Sequence, residues 1–491
     1  FKKGKDTRPL VVRLVGKITD LDYMLSGDIV IENNNNAASY ITFEGVGNDA
    51  VANGWGLRIK NASNVEVRNL GFMLTDAGEG DNVGLQQDND HIWVHNCDMF
   101  YGASGGDADQ AKGDGALDCK KSTFVTFSYN HFWDSGKSNL LGLSENTTEG
   151  LYITYHHNWY DHSDSRHPRV RFYSAHVYNN YFDGNSKYGA GSTENSSIFM
   201  EGNFFRKCKY PMLISMQGTD VWNGSLGTFS KEDGGIIKAF NNTMSGQTRF
   251  IPYDAVNYPI EFDAYVSAER NEKVPSNITS KQGKNTYNNF DTDPNLYIAN
   301  LKIQEPEVAK NDVMIYAGRV SGGDVKFDFE DAVDDTSYAV NAALMTVLTS
   351  YKTSMVFIQG EKTVEESTQI LKVPNNNEQI VAEDTAITDM VFSWAGTATN
   401  VTVTGLPASG IDYVKNVDAK TVTVFGTPTA NVNFSIATIG TVGESVTGSG
   451  SVLILGLPTG NQIHNFTVSG LNSTFYTFVD ANMNSKDGAR T

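Results

Sequence analysis

The sequence predicts an all-β chain, a right-handed parallel β-helix (a solenoid) followed by a small β-sandwich module. Three observations carry that reading. Seven segments between residues 65 and 244 repeat one pattern: apolar alternation, then Asn, then apolar or aromatic residues. Forty-six glycines and many asparagines mark a chain rich in turns. Long helical periodicity is scarce before residue 300.

The repeats are VEVRNLGF (65–72), IWVHNCDMF (92–100), VTFSYNHFW (125–133), ITYHHNWY (153–160), AHVYNNYF (175–182), IFMEGNFF (198–205) and IKAFNNTM (237–244). Aligned on Asn69, Asn96, Asn130, Asn158, Asn180, Asn203 and Asn242, they step by 27, 34, 28, 22, 23 and 39 residues. A minimum near 22 with irregular excess fits coils that carry loops of different length. Asparagines at equivalent turns of stacked coils can bond to one another and to the backbone. An ordinary β-sandwich would not repeat one Asn-aromatic signature seven times.

Residues 1–359 are expected to form the β-helix, closed by a helix over about 331–352. That stretch (DAVDDTSYAVNAALMTVLTSYK) places Ala339, Ala342, Ala343, Met345, Leu348 and Tyr351 largely on one face, with Asp335 or Thr336 as N-cap. Such a helix would cover the solenoid's exposed edge. Residues 360–384 are polar, with Pro374 before three asparagines, and read as a linker. Val/Thr-rich strands between GLP, GTP and GSG turns predict an immunoglobulin-like sandwich over 385–458. Residues 459–491 begin a further β-like segment without an evident end.

Composition narrows the function classes. Fifty-seven acidic against 38 basic side chains give 491 residues a formal charge of −19, which argues against wholesale nucleic-acid binding. No run approaches the roughly 20 apolar residues of a membrane helix. Three cysteines without CxxC spacing argue against a disulfide scaffold or a zinc site. Residue 1 is Phe and no charged-then-apolar leader precedes it, so a signal peptide is expected either to have been removed or never to have existed.

The chemistry concentrates between residues 79 and 171. Glu79 and Asp81 lie in AGEGDNVG, and Asp114 and Asp118 in GDGALDCK; residues two or four apart on a strand share a face. Four hard oxygen donors drawn together from neighbouring coils would suit Ca²⁺ and would repel one another without it. Solvated loop acids are the plainer alternative. The segment HSDSRHPRVRF (162–172) sets Arg166, Arg169 and Arg171 against a single Asp164, and Lys137 is a further cation. Guanidiniums beside a calcium site point to a carboxylate-bearing substrate, because the planar fork matches two oxygens; salt bridging to nearby acids is the alternative. His156 and His157 fall inside a repeat strand and are weak candidates for a base. HExxH, GxSxG and GxxxxGK[ST] motifs are absent.

The run WVHNCDMF…DGALDCK…VTFSYNHFWDSGK…YITYHHNWYDHSDSRHPRVRF…AHVYNNYF…MEGNFF resembles the pectate lyases of polysaccharide lyase family 1, over residues 55–250 and extending across 1–355. The resemblance implies a parallel β-helix. It also implies calcium bound by Asp81, Asp114 and Asp118 with Glu79, Arg166 as the catalytic base, and Arg171 and Lys137 as substrate ligands; Arg169, from the same cationic segment, is a further candidate substrate ligand. WVHN (93–96) departs from the common WVDH.

Implied further is calcium-dependent β-elimination on α-1,4-polygalacturonate, yielding 4,5-unsaturated oligogalacturonides. An arginine base needs desolvation and nearby cations, since a free guanidinium keeps its proton to a pKa above about 12. A monomer working outside the cytoplasm (secreted, periplasmic or at a bacterial cell surface) is expected. Alternatives are a pectin lyase on methyl-esterified substrate, a glycoside hydrolase, which would need a spaced carboxylate pair, or a non-catalytic carbohydrate-binding solenoid.

Overall fold

Parallel strands that succeed one another in sequence with a crossover between them must stack as coils. In the computed structural model of the protein they do so over most of the first 266 residues. The structure describes all residues except 20–27, 77–79, 107–109, 225–226, 228, 354–368 and 456–491. Two compact units result, one formed mainly by residues 1–355 and one by 356–465.

The first unit is a parallel β-helix with three columns of strands. One column runs Ile41–Asn53, Ser63–Arg68, Val83–His95, Leu117–Ser128, Tyr152–His156, Ser174–Tyr178, Ser197–Glu201 and Ile236–Phe240, each parallel to the next. Its register puts Ile92, Val125, Ile153, Ala175, Ile198 and Ile237 one above another in the buried core. A second column runs from Gly71–Met73 through His131–Trp133 and Trp159–Asp161 to Thr243–Ser245. The third runs from Gly56–Ile59 through Leu117–Ser128, Leu140–Leu141, Arg169–Arg171 and Ala190–Thr193 to Met212–Ile214.

Between the first two columns the coil turns on a buried asparagine. Asn130, Asn158, Asn180 and Asn203 each donate from Nδ2 to the Oδ1 of the next, the last to Asn242, at 2.9–3.1 Å. Each Oδ1 from Asn158 onward also accepts the preceding asparagine's backbone N–H. Phe132, Tyr160, Phe182 and Phe205 stack beside them with centroids 4.2–5.1 Å apart.

The expected alignment slips by one residue at the first two repeats. Asn69 and Asn96 adopt left-handed backbone, φ 55° and 49°, equivalent to Tyr129 and His157, while the ladder position itself holds Leu70 and Cys97. Cys97 N–H donates to Asn130 Oδ1 at 3.1 Å, ending the ladder there. Asn tolerates the left-handed region, so one residue type serves two adjacent positions.

The helix expected over 331–352 is broken. Asp331–Asp334 and Ala342–Thr349 are separate helices, the second capped by Asn341, whose side chain accepts from Ala343 and Leu344 N–H. Leu344 and Leu348 pack on Val51, Met73, Phe100 and Trp133 from successive coils, so this helix lies along a flank rather than on an end. An unanticipated helix, Pro306–Tyr316, begins on proline and buries only Pro306, Ala309 and Val313. That narrow apolar stripe is too weak a signal to read from sequence.

The second unit is a sandwich of two four-stranded sheets around Met390, Phe392, Trp394, Val422, Val424, Phe434 and Ile436. The residues read as a linker supply two of its strands: Gln369–Lys372 pairs with Met390–Gly396, and Glu378–Ala382 with Thr447–Leu455. Pro374 and the asparagines form the turn between them, a local signal that masked the flanking strands. The segment expected over 459–491 lies outside the described residues.

Asn180 is fully buried and its amide serves Tyr155 O, Tyr178 O and Asn203, while its Oδ1 accepts twice from Asn158. Asn180→Ala strands these partners and is expected to cost about 2–5 kcal/mol. Asn242→Ala, at the half-buried end of the ladder where water can substitute, should cost less. Thermal midpoints of the two full-length variants decide; equal losses would show that burial of the ladder is not what matters.

Candidate active site

Along the third column, successive coils bring distant sequence segments to one groove. Asp118 lies beside Gly84 in the preceding coil, Leu140 beside Asp118 in the next, and Arg169 beside Leu140 in the one after. At about 4.8 Å per strand, the Arg169 backbone is roughly 10 Å from that of Asp118.

The aspartates meet at one end. Asp81 Oδ1 accepts the Gly115 N–H at 3.0 Å, and Asp118 Oδ1 accepts the Leu140 N–H at 2.7 Å. Burial, and then repulsion from Asp118 and Asp114, hold the Asp81 carboxyl well above the usual carboxylate range. Burial pushes Asp118 up to about 6, against the pull of Arg166 and Lys137. Burial would also raise Asp114, but the Lys137 ammonium, 2.5 Å from Asp114 Oδ1, outweighs it and holds that carboxyl low.

The surrounding backbone is shaped to these carboxylates. A Cβ on Gly115 would sit 2.5 Å from the Asp118 carboxylate, and one on Gly80 2.6 Å from Asp114 Cβ, so both positions admit only glycine. Two carboxyls raised by burial and repulsion, in a cradle closed to side chains, fit a hard cation with oxygen ligands. The three carboxylates are not drawn into a tight cluster. Among the described residues, three ligand atoms lie within 4.8 Å of one another only at His162, Asp331 and Asp335. There Arg206 already engages both Asp335 oxygens, at 2.9 and 2.6 Å. Glu79 lies outside the described residues.

Beyond the aspartates come the arginines. Arg166 has left-handed backbone (φ 64°), and its carbonyl is tied to Asn139 N–H at 2.7 Å. His167, buried next to it, bonds Tyr188 O at 2.9 Å and Ser163 Oγ at 3.0 Å, which fixes the turn. Burial drops the His167 imidazole to about 3, so it is neutral. The half-buried Arg166 guanidinium makes no hydrogen bond or ion pair with any described residue, and it lowers the carboxyls of Asp118 and Asp114 electrostatically. Arg169 and Arg171, two apart on one strand, both reach Glu232.

Other candidates are placed elsewhere. Asp164, the acid in the arginine segment, pairs with buried Lys112 at 2.9 Å. His156 contacts His157, which bonds Gln304, so this pair packs under the C-terminal segment and away from the groove. His95 pairs with Glu66 and Asn96 with Tyr316 O, again outside it.

Two groove residues went unread in the sequence. Lys120, two after Asp118 and so on its face, lines a cavity of about 60 Å³ with Asp81, Gln86, Asp118, Leu140 and Gly142. The i, i+2 spacing was available to find it. Glu232 had no such signal, since it lies 61 residues from Arg171 in an ordinary KEDGG loop.

Residues 4–243 match the family model described as pectate lyase. Over 214 residues the chain is 31% identical to a pectate trisaccharide-lyase of Bacillus licheniformis, covering 43% of this chain and 60% of that protein. It is 34% identical over 182 residues to pectate lyase A of Emericella nidulans, covering 36% and 54%. The chain thus spans between half and two thirds of these relatives' length. Among solved structures, pectate lyase II from Xanthomonas campestris covers 66% of this chain and 97% of its own at 22% identity, with a TM-score of 0.45. Residues 4–243 of the β-helical unit are thus similar to pectate lyases by family model and by relatives alike.

Proposed function

We propose that the protein is a calcium-dependent pectate lyase that cleaves α-1,4-polygalacturonate by β-elimination, releasing 4,5-unsaturated oligogalacturonides. The observation that carries this is a guanidinium, Arg166, with no partner among the described residues, which acts electrostatically on Asp118 and Asp114 in the groove that also holds Asp81 and Arg171. A methyl-ester substrate would give no reason to assemble mutually repelling aspartates. A non-catalytic solenoid would have no use for an arginine held without a partner among the described residues.

The proton to be removed, at C5 of the uronate, lies α to a carboxylate. Ca²⁺ held by Asp81, Asp114 and Asp118, with Glu79 as a further ligand, would supply the positive charge that stabilises the enolate-like transition state. Arg171 and Lys137 bind and orient the substrate carboxylate, and Arg169 lies beside them. When the substrate arrives, Lys137 shares itself between Asp114 and that carboxylate. Arg166, uncommitted to any described acid, would act as base in its neutral guanidine form: it takes the C5 proton, the electron pair forms the C4–C5 double bond, and the oxygen on C4 leaves and is protonated by water. The −19 formal charge repels a polyuronate at long range. With a Debye length of about 8 Å at physiological ionic strength, the groove's own cations decide binding. A polymer of this size places the protein outside the cytoplasm, secreted or at a bacterial surface, acting as a monomer.

The direct test is ultraviolet absorbance of the conjugated double bond on polygalacturonate, with and without chelator. Activity unchanged by excess chelator would remove calcium from the reading, and no absorbance would remove the lyase.

Calcium should raise the thermal midpoint of the β-helix, since ligand at a hundred times its Kd stabilises by about 2.7 kcal/mol. Asp118→Ala should lose most of that shift. Protons compete for the same oxygens, and the Asp118 carboxyl titrates at about 6. Apparent calcium affinity should therefore climb as pH rises through about 6 and weaken below it. Isothermal titration across pH 5–8 checks the sign; a flat profile would contradict it.

Arg166→Lys keeps the charge and loses the fork. A base acting only in the transition state, when removed, lowers kcat and kcat/KM together and leaves KM nearly unchanged, by about 10²–10⁴-fold. A rise in KM with kcat held within a few-fold would make Arg166 a binding residue instead.

A further inference from the structure

We propose that Glu232 is a positioning residue for Arg171: it grips the Nε–Nη2 edge of the guanidinium so that the Nη1 edge is presented at the rim of the aspartate-lined cavity. The inference rests on the lyase reading of the same groove and names a component of it.

The geometry has three parts. Glu232 Oε1 accepts from Arg171 Nε at 2.8 Å and Nη2 at 2.6 Å, which fixes the guanidinium plane. The remaining nitrogen, Nη1, makes among the described residues only a long 3.4 Å contact, to Gly142 O. Gly142 is itself a wall of the cavity that holds Asp81 and Asp118. The free edge of Arg171 therefore faces the place where a substrate carboxylate would approach the cation ligands.

Glu232 is in turn held by more than the arginines. Its Oε2 accepts from Ser230 Oγ at 2.9 Å, its N–H donates to the same Oγ at 3.1 Å, and its carbonyl accepts from Ser215 Oγ at 2.7 Å. The segment is fastened to the neighbouring coil where Thr193 bridges to Gly234 and Glu194 N–H bonds Asp233 O at 2.7 Å. A carboxylate tethered in this way stays when substrate binds, and does not act as a removable stand-in for the substrate's own carboxylate.

Arg169 completes the unit. Its Nη2 reaches Glu232 Oε2 at 3.1 Å and Ser230 Oγ at 3.3 Å, and its guanidinium lies over the Phe229 ring at 6.0 Å. Arg169 is therefore assigned to holding Glu232, and the two arginines with one glutamate present a single net positive charge to the groove. Burial opposes ionisation of Glu232, but Arg171 and Arg169 draw its carboxyl down to about 2, so it is anionic wherever the protein is folded and active.

The test uses full-length Glu232→Ala, Glu232→Gln and Glu232→Asp. Phenylglyoxal labelling, mapped by peptide mass, reads the freedom of Arg171 without reference to activity. Kinetics on polygalacturonate at saturating calcium read its use. In Glu232→Ala, Arg171 should label about fivefold faster or more, and KM should rise about tenfold while kcat stays within threefold, as for a group that binds ground and transition states alike. Glu232→Asp, a methylene shorter, should recover part of both. Glu232→Gln keeps the volume and one acceptor, gives intermediate values, and replaces the alanine variant if that one melts early. Unchanged Arg171 labelling overturns the proposal. So does a KM that is unchanged or lower, a lower one meaning that Glu232 competes with substrate. A wild-type protein that makes no unsaturated product sinks the lyase reading alone, and the labelling still decides whether Glu232 holds Arg171.

Discussion

Everything in the β-helical unit depends on one spacing, that of a parallel strand stacked on the last. Each coil must repeat its turn at the same place, and the buried asparagines enforce this by bonding sideways to their equivalents and to the backbone of the coil before. The backbone groups at the turn are buried and would otherwise lack partners. Such a ladder fixes where each coil turns while leaving loop length free. Steps of 22 residues and of 39 coexist in one solenoid for that reason.

The same spacing builds the site. Asp81, Asp118 and the arginines come from three different coils within a span of four, and no single loop holds more than a part of the site. A groove built this way is rigid, because each functional side chain stands on a strand or an anchored turn. His167 shows how much structure is committed to that anchoring. Its imidazole is buried and neutral, and spans Ser163 and Tyr188, which fixes the turn that carries Arg166.

How much of this was legible depended on whether the signal was local. The solenoid could be read because a repeated strand-Asn-aromatic pattern is a local property seven times over. The aspartates and arginines stood out as candidates because GDGALDCK and RHPRVR each concentrate their charges within a few residues, and the fold brings both segments to one groove. What failed was either ambiguous locally or set by partners far along the chain. Asn69 and Asn96 match the pattern yet stand one residue away from the ladder, since asparagine suits both the ladder and the left-handed turn. The polar segment with Pro374 reads as a linker because nothing in it reveals that Gln369–Lys372 will find Met390–Gly396. Pro306–Tyr316 has too few buried residues to announce itself as a helix.

Charge follows the same division between local and distant. The segment 162–172 carries three arginines against one acid, which reads as a strongly cationic surface. In the folded chain Asp164 turns inward to Lys112, and Glu232 arrives from another coil to take two of the arginines. The cation left without a described partner is Arg166, the one nearest the raised carboxyl of Asp118. Free charges at about 4 Å interact roughly four times more strongly at a partly buried site than in bulk water. The groove therefore gains more from one uncommitted guanidinium beside the aspartates than from three exposed ones. Engaging the neighbours with a tethered carboxylate leaves Arg166 as the uncommitted guanidinium of the segment among the described residues, a selection made by the packing of coils and invisible in the charge count of the segment itself.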